Sequence, residues 1–205
     1  MNLFYIYSRV LKKLRGVAIK NSNVHKTSKV ESGSTVINSS FDKHSFCGYD
    51  CLFNNCEVGS FTSIASNVKV GGSTHPVEFV STSPVFLSHK DSVKTKLAKH
   101  DYHNIPKTVI GSDVWIGEGA FVKSGVTVGH GSVVGMGTVV TKDVPAYSFF
   151  CGNPGKVVKM RFEPEIITRM LACKWWELSD SQLQKLGHLI SNPIKFLDEV
   201  EKLCE

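Results

Sequence analysis

The sequence predicts an all-β fold, a parallel β-helix with one inserted loop and a helical extension after it, and three observations predict it. Between Ile110 and Pro145 the chain repeats every six residues: Ile110-Gly-Ser-Asp-Val-Trp, Ile116-Gly-Glu-Gly-Ala-Phe, Val122-Lys-Ser-Gly-Val-Thr, Val128-Gly-His-Gly-Ser-Val, Val134-Gly-Met-Gly-Thr-Val and Val140-Thr-Lys-Asp-Val-Pro. A hexad matches neither the 3.6-residue helical period nor strict strand alternation. The aliphatic openers all face inward only when the chain winds as a coil of short straight segments with a corner in each block. The fifth positions, Val114, Ala120, Val126, Ser132, Thr138 and Val144, are small or β-branched, as a corner beside a packed interior requires. Glycine recurs at the second position, where a Cβ would crowd the turn. Rungs of such a coil stack about 4.8 Å apart through backbone hydrogen bonds.

The elements follow in chain order. Residues 1–26 form an N-terminal helical or irregular segment, in which Leu3, Phe4, Ile6, Tyr7, Val10, Leu11 and Leu14 surround Arg9, Lys12, Lys13 and Arg15. A short helix packed on the coil end is the expected form, and peripheral contact with an anionic membrane surface is its second reading. A signal peptide is not expected, because the charges do not precede the apolar run and no small-residue cleavage site follows it. The coil itself is expected over residues 27–161. Phe41, Cys47 and Phe53 keep the hexad spacing, whereas Val30, Val36 and the step to Val58 slip by one residue, so residues 27–73 read as the less regular outer rungs. Blocks beginning at Val58, Ile64 and Val70 recover the register. From Val70 to Ile110 the step is not a multiple of six, so a loop of roughly residues 76–107 leaves the coil and returns. Residues 162–205 read as helical: Pro164 suits a first turn, Ser179 to Gln182 has capping-box spacing, and Asn192-Pro193 is a cap followed by a first-turn proline. Trp175 and Trp176 are expected to dock these helices on the coil.

Composition narrows the function. No stretch approaches the roughly 20 apolar residues that cross a bilayer. The net charge is +6, but the lysines are scattered without a basic stripe interleaved with aromatics, so nucleic acid is not an expected partner. A local cluster, Lys142, Lys156, Lys159 and Arg161, suits a smaller anionic ligand. The six cysteines, Cys47, Cys51, Cys56, Cys151, Cys173 and Cys204, follow no zinc spacing; Cys47 opens a block and Cys51 falls at a fifth position. They read as structural free thiols in a reducing, cytoplasmic setting.

Four motifs carry a resemblance: Gly72-Ser-Thr-His75-Pro followed by Val80-Ser-Thr-Ser-Pro-Val-Phe86; Asp113-Val-Trp-Ile-Gly117; Gly135-Met-Gly-Thr-Val-Val-Thr-Lys-Asp143; and Gly152-Asn-Pro-Gly-Lys-Val-Val-Lys-Met-Arg-Phe162. With the tail around Lys174-Trp-Trp176 and Leu178-Ser-Asp180, the chain resembles the hexapeptide-repeat acyltransferases with a left-handed β-helix, in the branch of xenobiotic and chloramphenicol-type acetyltransferases and related polysaccharide O-acetyltransferases. The resemblance implies acetyl-CoA as co-substrate, no metal, and a homotrimer with active sites between neighbouring coils.

It also assigns roles. His75 closes its hexad just ahead of the inserted loop, at the coil surface, and the resemblance makes it the catalytic base. A hydroxyl is too weak an acid to attack a thioester unaided at neutral pH, and an imidazole with an ordinary pKa of about 6.5 can take its proton. Glu78, three residues on, is a side chain in reach of the ring, although a loop carboxylate is more often solvated. The motifs carry the cofactor contacts onto Trp115, Gly117, Met136, Thr141, Lys142, Lys156, Lys159 and Arg161: Trp115 as a wall of the pantetheine channel, the glycines beside Met136 as room for it, and the cations for the adenosine phosphates. Met136 departs from the small residue usual between those glycines. The loop, with Phe79, Phe86, His89, His100, Tyr102 and His103, is expected to choose the acceptor. His100 and His103 invite comparison with zinc-dependent enzymes of the same coil class, but that chemistry needs three convergent imidazoles and the spacing supplies no such set. The sequence thus predicts O-acetylation of a sugar hydroxyl in surface-polysaccharide or lipopolysaccharide synthesis. Antibiotic acetylation is the alternative, and a non-catalytic coil kept for assembly is a reading of another class.

Overall fold

The computed structural model describes residues 2–89, 91–102 and 106–203, so His103 and Cys204 lie outside the described residues. The chain winds into a three-faced left-handed parallel β-helix followed by helices. Face A stacks Ala18–Lys20, Thr35–Ile37, Leu52–Asn54, Lys69–Gly71, Phe121–Val122 and Val139–Val140. Face B stacks Asn23–Val24, Ser40–Phe41, Cys56–Val58, Thr108–Ile110 and Thr127–Val128. Face C stacks Lys29–Val30, Phe46–Cys47, Ser63–Ile64, Trp115–Ile116, Val133–Val134 and Ser148–Gly152, and the antiparallel strand Gly155–Met160 closes it.

The hexad openers fill the interior. Ile110, Ile116, Val122, Val128, Val134 and Val140 are buried there, joined from the earlier turns by Val36, Phe41, Cys47, Phe53, Val58, Ile64 and Val70. Burying such a side chain contributes about 1.5–3 kcal/mol. Cys51, Val114 and Ala120 pack at the corners of the same core and Cys56 at the start of a face B strand, so Cys47, Cys51 and Cys56 are buried free thiols.

The early turns differ from the reading as irregular outer rungs. Stacked partners there are 17 apart, as in Thr35 with Leu52 and Phe46 with Ser63, and after the loop 18 apart, as in Val109 with Thr127 and Trp115 with Val133, until the last turn, where Val133 pairs with Phe149, 16 apart. The one-residue slips all fall at a single corner, between faces A and B, which is a residue shorter in every early turn. The coil also starts at Ala18 rather than at residue 27, because hexad spacing hides a 17-residue turn.

Corners turn on left-handed residues, one column per edge. Asn21, Asn38 and Asn55 (φ +49°, +49° and +53°) line the A–B edge, with Gly72 (φ +138°) next in register where the loop departs. His44, Phe61, Asp113 and Gly131 line the B–C edge, and Gly33, Asp50, Asn67, Gly119 and Gly137 the C–A edge. Glycine, asparagine and aspartate tolerate this region best.

Helix α1, Leu3–Leu14, precedes the coil, but none of its residues is buried. The expectation of a helix packed on the coil end therefore holds only for its last turn: Ser32 Oγ donates to the Lys12 carbonyl at 2.9 Å, and Arg15 pairs with Asp50 at 2.8 Å. After the coil come α2 (Pro164–Cys173), α3 (Asp180–Leu186) and α4 (Pro193–Lys202). Ser179 and Gln182 form the predicted capping box and Asn192 caps α4. No helix among the described residues is long and apolar enough to cross a membrane.

Candidate functional site

Each edge of the coil carries something different. The B–C edge receives the C-terminal helices. Trp176 stacks on His130 with ring centroids 4.4 Å apart, Trp175 meets Phe61 and Phe196, and His44 Nε2 lies 2.8 Å from Asp180. Both tryptophans dock helices, as the sequence predicts. Arg161 belongs to this edge as well. Its guanidinium donates to Asp113 at 3.0 Å and to the Gly131 carbonyl, and it lies over the Tyr147 and Phe162 rings. Burial lifts the Asp113 carboxyl above its ordinary pKa, and Arg161 opposes that rise. Arg161 is thereby held by the fold, apart from Lys156 and Lys159.

The A–B edge carries the inserted loop. Ser124 Oγ donates to the Gly72 carbonyl at 2.7 Å, which fixes the point of departure against the next turn. Within the loop Ser83 caps the short 3-10 turn Pro84–Phe86, Leu87 is fully buried, and Lys96 bridges Asp91 and the Pro84 carbonyl. Tyr102 Oη donates to Thr74 Oγ1 at 3.3 Å, and Phe79 meets His100 and Tyr102 edge-on. An open pocket of about 520 Å³ lies between Glu78, Phe79, Val80, Ser81, Phe86 and His100.

His75 is exposed beside this loop, and its Nδ1 lies 2.8 Å from the Thr82 carbonyl oxygen. A carbonyl only accepts, so Nδ1 carries the proton and the neutral ring keeps its lone pair on Nε2. That is the tautomer a base needs. The orienting partner is thus Thr82, not Glu78, which lines the pocket instead. A backbone carbonyl seven residues downstream leaves no mark in the sequence by which it could be found. Thr141 and Lys142 stand on the same edge two turns further along, where the coil passes from Val139–Val140 to Val144.

The C–A edge collects most of the remaining predicted residues. Trp115 opens a strand of face C with its ring exposed, Met136 is exposed in the C–A corner above Gly117, and the hairpin tip at Asn153–Pro154 brings Lys156 toward that corner. Register continues outward from Trp115 to Val133, Phe149 and Lys159, whose ammonium lies 4.7 Å from the Phe149 ring centroid. Gly117 has a reason internal to the coil: a Cβ there would lie 2.5 Å from the Met136 backbone nitrogen. Among the described residues neither Lys142 nor Lys156 has an ion-pair partner. One chain therefore divides the predicted set between two edges, His75, Thr141 and Lys142 on one and Trp115, Gly117, Met136, Lys156 and Lys159 on or beside the other.

The family model for the bacterial transferase hexapeptide (six repeats) matches residues 107–142. A chloramphenicol acetyltransferase of Agrobacterium fabrum is 40% identical over 122 residues, 58% of each chain. One from Escherichia coli is 36% identical over 131 residues, 62% of each, so the match spans less than two thirds of these relatives. A probable macrolide acetyltransferase of Lysinibacillus sphaericus is 32% identical over 139 residues, 66% of this chain and 76% of that one. Among solved structures, a variant of the N-acyltransferase AntD from Bacillus cereus, in complex with dTDP-4-amino-4,6-dideoxyglucose and coenzyme A, shares the fold at 15% identity, with a TM-score of 0.58 over 82% of this chain and 96% of that one. Repeat, coil and the extent of the macrolide-type match agree, and the chain belongs to the hexapeptide-repeat acetyltransferases, in the branch that includes the chloramphenicol and macrolide enzymes.

Proposed function

We propose that this protein is an acetyl-CoA-dependent O-acetyltransferase acting on a hydroxyl of a sugar, in surface-polysaccharide or lipopolysaccharide synthesis. One observation carries the reading: His75 donates through Nδ1 to the Thr82 carbonyl and so offers a basic Nε2 at the mouth of the inserted loop. In the reaction Nε2 takes the proton of the acceptor hydroxyl as its oxygen bonds to the thioester carbonyl carbon. The carbon–sulfur bond then breaks and the imidazolium returns the proton to the leaving thiolate. Base catalysis of this kind contributes roughly 10²- to 10⁴-fold, and holding the alcohol and thioester together supplies a further large factor.

The residues fit acetyl-CoA as co-substrate. Trp115 and Met136 offer apolar surface for the pantetheine arm, Thr141 a hydroxyl, and Lys142, Lys156 and Lys159 unengaged or solvent-facing cations for phosphates. Face A separates the His75 edge from the C–A corner that holds Met136, and a side of about six residues spans up to roughly 20 Å. A second copy whose C–A edge meets the A–B edge of the first brings the two sets together. Repeated head to tail, that contact closes into a ring, which supports a homotrimer with sites between subunits. Exposed Met136 in the C–A corner, with exposed Trp115 on face C and Phe121 on face A to either side, is consistent with such a contact. The protein works in the cytoplasm in this reading, where acetyl-CoA is made.

The acceptor pocket supports a saccharide through Phe79, whose ring offers an apolar face for sugar C–H groups beside polar Glu78, Ser81 and His100. The names of the relatives favour a second reading, acetylation of chloramphenicol, a macrolide or a streptogramin. Thiol release from acetyl-CoA, measured with panels of sugars and of these antibiotics, separates the two. His75→Ala is expected to lower kcat/KM by at least 10²-fold while leaving assembly and CoA binding unchanged. Retained turnover removes His75 as the base, and release with no acceptor in either panel removes both readings.

A further inference from the structure

Helix α1 is turned the wrong way round for a helix that serves its own coil. At 3.6 residues per turn, Leu3, Phe4, Tyr7, Val10, Leu11 and Leu14 fall within an arc of about 120°, and Arg9, Lys12 and Lys13 lie opposite. The contacts with the coil come from the polar side and the last turn: the Lys12 ammonium lies 3.9 Å from the Tyr49 ring centroid, and Arg15 pairs with Asp50. No residue of the apolar arc is buried against the coil. Leu3 and Phe4 are 81% exposed, Leu14 74% and Tyr7 61%.

Charge decides what covers that arc. The first thirty residues hold Arg9, Lys12, Lys13, Arg15, Lys20, Lys26 and Lys29 and no acidic residue. A second copy of α1 laid on the first would set like charges side by side, whereas an anionic lipid surface complements them. A helix of 12 residues is about 18 Å long, too short to span the roughly 30 Å apolar core of a bilayer but well suited to lie in its headgroup layer. A tyrosine such as Tyr7, within the arc, favours that layer. We propose that α1 is an in-plane membrane anchor, which seats its apolar arc in an anionic leaflet and hangs the coil from it through Ser32, Tyr49 and Asp50.

The test is sedimentation of the full chain with vesicles of phosphatidylcholine alone or with phosphatidylglycerol added. Binding is expected only to the anionic vesicles, with release toward ~1 M salt, where the screening length is about 3 Å. Arg9→Gln with Lys13→Gln should weaken partition roughly 30-fold, about fivefold per cation. Phe4→Ser with Leu11→Ser should abolish it while the circular dichroism of the coil and its elution volume stay as they were. Failure of the unaltered chain to bind anionic vesicles at low salt overturns the proposal. So does a serine pair that leaves vesicle binding intact but shifts the oligomeric state, because the arc then belongs to a neighbouring copy.

Discussion

The turns before and after the inserted loop build the same triangular core by different means at the corners. Before it, the A–B corner is a residue shorter and turns on Asn21, Asn38 and Asn55; after it, the corners keep six-residue spacing up to Val140 and turn mostly on glycine, Gly119, Gly125, Gly131 and Gly137, and only the last A–B corner shortens again, where Val144 stacks on Val128. The inward residues are the same kind in both halves. Coil stacking therefore tolerates a change of corner length, provided that the buried column stays in register and a left-handed residue sits at each bend. The insertion enters at the one edge where the length changes. Gly72 holds the place an asparagine holds in the three preceding turns, and the chain runs from it through His75 into the loop.

If stacking is the shared requirement, the same substitution should hurt both halves alike. A Cβ on Gly117 would lie 2.5 Å from the Met136 nitrogen, and one on Gly48 would lie 2.7 Å from the Ser66 nitrogen. In each case a backbone atom of the next turn has to move. Gly117→Ala and Gly48→Ala are both expected to destabilise by about 1–3 kcal/mol, the range for overpacking a close-packed contact. Urea denaturation measures it; a loss confined to one half would mean that the two halves are not built on one principle.

The corners should instead respond according to their own half. Asn38 has φ +49°, and alanine there meets the left-handed penalty of roughly 1–2 kcal/mol. Asn38→Gly should restore most of that loss, although the Asn21–Asn38 side-chain hydrogen bond goes with it. The reverse exchange, Gly137→Asn, puts a side chain into open space at φ +65° and should change stability by less than ~0.5 kcal/mol. If Asn38→Gly is no better than Asn38→Ala, the side chain rather than the backbone makes that corner.

These contrasts also explain what could be read from the sequence. After the loop, hexads are plain because glycine and a β-branched residue recur at fixed offsets, and Ile110 to Val140 fall inside as predicted. Before the loop, Val36 to Phe41 and Phe53 to Val58 are each one residue short, so a strict hexad loses the register and misses the first strand at Ala18. The helix caps at Ser179 and Asn192 were legible because they are local. Non-local contacts were not: Asp113 claims Arg161 from across the fold, and Thr82 orients His75 through a carbonyl that every residue possesses. The two-sided character of α1 was visible in its spacing, whereas the side that meets the coil is decided by Ser32, Tyr49 and Asp50.

The smallest effect expected lies where the later turns meet the C-terminal helices. His130 precedes the left-handed Gly131, stacks on Trp176 with an interplanar angle of 11°, and accepts a hydrogen bond on Nδ1 from the Ser112 backbone at 2.9 Å. Burial against the helices holds its pKa below the ordinary value of about 6.5. The unfolded chain therefore binds this proton at a higher pH than the folded one does. The contribution of His130 to stability is complete above about pH 6.5 and falls away as the pH drops through the depressed folded value. The urea midpoint should decline on acidification below that point, and His130→Gln, which keeps an acceptor near the Ser112 nitrogen but does not titrate, should flatten part of the decline. The early turns offer an internal contrast at the same edge. His44 at the corresponding bend faces Asp180, whose carboxyl is held below its ordinary pKa chiefly by their hydrogen bond, so that pair loosens only as the carboxylate itself is protonated, in a more acidic range. If His130→Gln and the unaltered chain lose stability in parallel between about pH 7 and 5, the stack on Trp176 is indifferent to charge, and the two halves of this edge do not differ in the way their environments require.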